Sequence, residues 1–142
     1  MATAKPWLWI TLWDSMLRET AYYNSPSLFK NRERVPAKGY ISDQLTDEAI
    51  GVVDRAKTLD QPFMLYLAYN APHLPNDNPA PEQYQKQFNT GSQTADNYYA
   101  SVYSVDQGVK RILEQLKKTD SMTIQLFSLP PIMVQLSMVL CR

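Results

Sequence analysis

Pro62-Phe63-Met64-Leu65-Tyr66-Leu67-Ala68-Tyr69 is the segment that most limits what this chain can fold into. It is a short, unbroken apolar run held between Pro62 and Asn70. A run of that length suits a strand buried on both faces, as in a parallel sheet. The flanking segments predict helices. Thr46, Asp47 and Glu48 read as a helix start, a hydroxyl cap followed by carboxylates at the positive end of the dipole. Ala49, Val52, Val53 and Ala56 then share a face, and Arg55 and Lys57 fall in the last turn. A second helix is expected from about Ala95 to Lys117. Its apolar stripe runs through Tyr98, Val102, Val105, Val109, Ile112 and Leu116. Thr123 to Leu129 reads as a further strand. Helix, strand, helix and strand over residues 46–129 point to an α/β layer architecture.

Composition narrows the function classes. The chain has 142 residues, 14 Lys+Arg and 14 Asp+Glu, so its formal net charge is zero. That is not the electrostatic footprint of a nucleic-acid binder. One cysteine rules out an internal disulfide framework, and no Cys/His cluster has zinc spacing. The most apolar stretch, Ile132 to Leu140, is broken by Gln135 and Ser137 and falls short of the ~20 residues of a membrane span. The first residues carry one lysine, and Thr11 and Asp14 interrupt the apolar run. No small-residue cleavage site follows, so no secretory signal is expected.

Three zones differ in character. Residues 1–21 form an atypical N-terminal segment in which Trp7, Trp9 and Trp13 crowd together without clean periodicity. Residues 22–118 are coherently patterned. Residues 119–142 lack any charge between Asp120 and Arg142 and are split by Pro130-Pro131.

One chemical site stands out. The apolar strand leads straight into Asn70-Ala71-Pro72-His73-Leu74-Pro75, and His73 is the only histidine. Ligands of open α/β sheets bind beyond the carboxyl ends of strands. Prolines at 72 and 75 restrict the backbone on either side of the ring. An imidazole there can donate to an anionic oxygen or shuttle a proton. The alternative is a loop histidine that only hydrogen-bonds a carbonyl. The residues by themselves favour that alternative, because one histidine without a partner is weak evidence for catalysis.

Three segments carry a resemblance, in order: Gly39 to Ile50, Gln61 to Pro75, and Tyr98-Tyr99-Ala100-Ser101-Val102-Tyr103-Ser104-Val105-Asp106 through Ile112-Leu113-Glu114-Gln115-Leu116-Lys117. Together they resemble the sulfatase family over residues 40–118. The resemblance implies a fragment of an alkaline-phosphatase-like α/β sandwich, with a mostly parallel sheet flanked by helices. It implies sulfate-ester hydrolysis in the full-length parent, on a sulfated small molecule or glycan. His73 matches the family's histidine that contacts the substrate sulfate. The family uses a formylglycine made from Cys or Ser in C/S-x-P-x-R and a divalent metal, usually calcium, held by Asp and Asn residues. Its members are commonly periplasmic, secreted or lysosomal.

The chain departs from that pattern. It has no C/S-x-P-x-R, no paired Asp segment before residue 22, and no Ser-Asp-Asn-Gly after Phe127. No cofactor or metal is therefore expected on this fragment, and the fragment is expected to be inactive. A non-catalytic α/β module and a fragment of a related metal-dependent phosphoesterase are the other readings. The Asn70-Ala71-Pro72-His73 loop favours a sulfatase over the phosphoesterase.

The genetic code supplies a reason for the tail. Read across codon boundaries, Met122-Thr123 gives GAC, a forced Asp, while Met133-Val134 and Met138-Val139 each give GGT, a forced Gly. The remaining shifted triplets permit Tyr-Asp-Asn-Thr-Ile-Ile-Leu-Phe-Thr-Ser-Asp-Asn-Gly, which is the family's continuation. Residues 119–142 are thus expected to be an out-of-frame product of a sulfatase gene, and residues 22–118 a partial catalytic domain. Glycine is scarce, with 4 residues against an ordinary usage of roughly 7%. Each Trp codon shifted by one base begins GG, so glycines would also stand behind the three N-terminal tryptophans.

Overall fold

The computed structural model describes residues 12–14, 28–30, 33–35, 39–58, 63–72, 79–119, 124–125 and 135–140. Three short strands come first: β1 (Leu12–Asp14), β2 (Leu28–Lys30) and β3 (Glu33–Arg34). They form an antiparallel sheet in that order, with Trp13 opposite Phe29 and Lys30 opposite Glu33.

Helix α1 (Ile41–Lys57) follows Gly39, whose φ of 77° lies in the left-handed region that glycine adopts without a Cβ penalty. The N-cap is Tyr40, which makes no side-chain cap bond. The helix therefore starts five residues before the Thr46 expected from sequence. Thr46 lies inside it and turns its hydroxyl back to the Ser42 carbonyl at 2.8 Å. A hydroxyl followed by two carboxylates satisfies the cap pattern at an interior turn as well. Ile41, Leu45, Ala49, Val53 and Ala56 are buried in steps of four and three, which makes one apolar face. Arg55 and Lys57 occupy the last turn, as read from the sequence.

Strand β4 (Phe63–Ala68) forms where the apolar run predicts it. Its burial alternates. Phe63, Leu65 and Leu67 are buried, whereas Tyr66 is 55% exposed. The expectation of burial on both faces fails at Tyr66, whose hydroxyl-bearing ring tolerates water. After the short helix α2 (Glu82–Gln85), the long helix α3 (Gln93–Lys118) matches the expected one to within two residues at either end. The Ser92 side chain accepts from the Ala95 N–H, Asp96 sits in the first turn, and Lys117 and Lys118 in the last.

The expected stripe on α3 holds at Val105, Ile112 and Leu116, which are buried, and at half-buried Val109, but fails at its start. Ala100, Ser104, Gly108, Ile112 and Leu116 lie on the buried face at four-residue spacing, while Tyr98 and Val102 are 41% and 38% exposed. Small residues let α1 approach closely, and that approach rather than side-chain volume selects the face.

The last strands are β5 (Ile124–Gln125) and β6 (Gln135–Leu140). Their sheet has the order β4-β6-β5 with every described pairing antiparallel, Phe63 opposite Leu140 and Ala68 opposite Gln135. A mostly parallel sheet is not what these strands form. β4 and β5 do run the same way, but β6 lies between them. Of the strand expected over Thr123 to Leu129, only Ile124–Gln125 is described. The core joins α1, β4 and α3 in one cluster, with Ile41, Val53, Tyr69, Ile112 and Leu116 almost without exposure. Helices packed with a strand in one core give an α/β architecture.

Candidate active-site loop

The carboxyl end of β4 is fixed before its loop begins. Tyr69 is 1% exposed. Its hydroxyl lies 2.8 Å from Thr46 Oγ1. The Thr46 proton is already donated to the Ser42 carbonyl, so Tyr69 donates to Thr46. Burial is the main reason the Tyr69 phenol is held above its ordinary pKa. This pair sits directly against α3. A Cβ on Gly108 would meet Thr46 Oγ1 at 2.5 Å and Tyr69 Oη at 2.6 Å. Gly108 is thus the residue that lets α1, β4 and α3 converge on one hydrogen bond.

Beyond Tyr69, Ala71 is buried and the Ala71–Pro72 peptide is cis. His73, the one candidate site residue from sequence, lies outside the described residues, as do residues 74–78. The described residues bring Asn70, Ala71 and Pro72 to the threshold of that position.

Neighbouring polar groups are engaged in structural bonds. Tyr84 donates to Asp43 Oδ1 at 2.7 Å. Its phenol is pushed up to about 12, first by burial and then by that bond to the carboxylate. Arg111 pairs with Asp47, and Gln115 donates to Asp54. Asp96 accepts from the Thr90 N–H at 2.9 Å. Calcium takes 6–8 oxygens in one cage. Among the described residues no group of three or more His, Cys, Asp or Glu could hold a metal ion, and these carboxylates are spread over separate partners. The described residues do not fit a calcium site.

The Tyr69–Thr46–Gly108 junction was not foreseen from sequence. Its signal was the small residues at fours in α3, Ala100, Ser104 and Gly108, which the apolar stripe overlooked.

The sulfatase family model matches residues 9–127. The chain belongs to the sulfatase family. It is 99% identical over 99 residues to the uncharacterized sulfatase YdeN of Escherichia coli (strain K12), a match over 70% of this chain and 18% of the relative. The chain thus spans less than a fifth of that relative's length. Wherever it starts, a stretch of that length in this sulfatase chain takes in β4 and the loop after it. Two crystal structures are also similar: Ps i-CgsB, and Ps i-CgsB in complex with k-i-k-neocarrahexaose. Each is 30% identical at a TM-score of 0.64, covering 80% of this chain and 30% of theirs. Among the described residues no helix is long and apolar enough to cross a membrane.

Proposed function

We propose that this chain is a partial sulfatase catalytic domain whose full-length parent hydrolyses sulfate esters, and that the 142 residues are inactive by themselves. The observation that carries this is near-identity over 99 residues to a sulfatase more than five times as long as the match. Residues 22–118 are the coherent part, of nearly the length of that match. Residues 1–21 and 119–142 are then the atypical flanks, the second written out of frame. The family match reaches Trp9 on one side and Phe127 on the other, so it takes in part of each flank.

In the parent, His73 contacts the sulfate group and offsets its charge as the ester bond breaks. Tyr69 holds the strand end from which the loop carrying His73 departs. Calcium and a formylglycine belong to the parent, supplied by segments with the missing motifs, and β4 belongs there to a mostly parallel sheet. A glycan is the favoured substrate class, since a similar structure binds a hexaose.

The test has two arms. Sequencing the coding DNA around the Lys118 codon should read Ser-Asp-Asn-Gly in the shifted frame; any other reading overturns the tail assignment. Purified chain with calcium should hydrolyse no aryl sulfate, whereas the gene with its frame and N-terminus restored should. Turnover by the 142-residue chain overturns the inactivity. The engaged carboxylates favour a second reading for this polypeptide, a non-catalytic α/β module; a restored gene without sulfatase activity would select it.

A further inference from the structure

Five aromatic rings run in contact from α2 to the first turns of α3. Centroids lie 6.1 Å apart for Tyr84 and Tyr103, 5.9 Å for Tyr103 and Phe88, 5.8 Å for Phe88 and Tyr99, and 5.8 Å for Tyr99 and Tyr98. The row is buried at Tyr84 and surfaces at Tyr98 and Tyr99, which are 41% and 46% exposed. The rings behind them hold the outer pair in place, and tyrosine offers a rigid, amphipathic surface at low entropic cost. Their surroundings are polar but uncharged. Asn89, Thr90, Ser92, Gln93 and Thr94 are exposed, and no cation stands between Lys86 and Lys110. Asp96 is already engaged by the Thr90 N–H.

Register fixes the end of the molecule at which these tyrosines stand. Asp47 pairs with Arg111 and Asp54 with Gln115, so α1 and α3 run the same way. Residues 65–68 of β4 share a groove with Leu45, Glu48, Ala49 and Val52, while Tyr69 meets Thr46, so β4 runs against both helices. The chain leaving Tyr69 thus heads toward the starts of α1 and α3. Tyr98 precedes Gly108 by ten residues, about 15 Å along the helix axis in that direction.

We infer that Tyr98 and Tyr99 form a stacking platform for an uncharged sugar ring of the parent's glycan, at the end of the layers toward which β4 releases its loop. The inference rests on the glycan reading above. The C–H face of a sugar ring suits the negative face of a tyrosine ring, and its hydroxyls suit the surrounding amides and hydroxyls. A sulfated ring or an acidic peptide would be desolvated here without a cation. A protein partner is disfavoured by size, since two tyrosines less than half exposed fall far short of the about 800 Å² that each side of a stable interface buries.

The test uses the full-length E. coli relative, because any 99-residue stretch of this chain includes residues 98 and 99. Hydroxyl-radical footprinting and binding titrations are run with k-i-k-neocarrahexaose, with its desulfated form, and with maltohexaose, cellohexaose and chitohexaose. Both tyrosines should be oxidised without sugar and protected by at least one uncharged hexaose. Tyr98→Ala/Tyr99→Ala should weaken that binding roughly 10-fold or more, whereas Tyr98→Phe/Tyr99→Phe keeps both rings and should keep most of it. Tyrosines already protected without sugar are covered by the rest of the chain, or by a second copy if protection grows with protein concentration, and either result overturns the platform. Binding of the sulfated hexaose with both tyrosines still oxidised overturns the platform and leaves the glycan reading standing. If no hexaose binds, both fall.

Discussion

At the scale of single residues, Gly108 is the position with the least freedom. Alanine there should gain roughly 1 kcal/mol of helix propensity, but its methyl would stand 2.5 Å from Thr46 Oγ1 and 2.6 Å from Tyr69 Oη. Overpacking of that kind costs about 1–3 kcal/mol, so the net change should be destabilising. Urea denaturation should show a lower midpoint for Gly108→Ala, and the double variant Gly108→Ala/Tyr69→Phe should lose less than the sum of its parts. Additive losses would mean that the methyl is accommodated elsewhere. Tyr84 makes a different prediction. Its folded pKa of about 12 lies above the ordinary 10, so its contribution to stability is complete below pH 10 and is lost as pH rises toward 12. Tyr84→Phe should flatten that alkaline loss and cost about 1–2 kcal/mol at neutral pH, where it removes a donor to the Asp43 carboxylate. A thermal melt series from pH 8 to pH 12 checks both.

Among elements, the legible ones were those with a strong local pattern. β4 is legible as an unbroken apolar run between Pro62 and Asn70, and α3 by its length and period. What escaped the sequence was set by neighbours. The start of α1 was misplaced at Thr46 because that hydroxyl serves an interior carbonyl and Tyr69 rather than a helix end. The apolar stripe finds Val105, Ile112 and Leu116 on the buried face of α3 but misses Ser104 and Gly108, which are chosen for closeness, and wrongly adds Tyr98 and Val102. β1 to β3 and α2 are too short to show a period at all. His73 is a candidate only by its place after a strand, which is a property of order along the chain. Its contacts are a property of three dimensions, and no spacing rule supplies them. One prediction belongs to this scale. Ile112 is fully buried between the layers, so Ile112→Ala should cost about 2–5 kcal/mol. Val102→Ala, at a position that the expected stripe counted equally, should stay within about 0.5 kcal/mol. Equal losses would restore the original stripe.

For the whole molecule, the sulfatase reading predicts a separation of folding from chemistry. In the gene with frame and N-terminus restored, His73→Ala should lower kcat by about 10²-fold with little change in melting temperature. A collapse of the melting temperature instead would make His73 a structural residue. The six-residue register between β4 and β6 carries a kinetic consequence as well. Joining Ala68 to Gln135 closes a loop of about 65 residues, an entropic cost that must be met before any of its backbone bonds form. Contacts between α1 and β4 close far shorter loops and should form first. Refolding from urea should therefore show β4 and α1 acquiring structure ahead of residues 135–140, and a brief protease pulse during refolding should trim the chain from its C-terminal end. The final strand is the last to arrive and the first to leave.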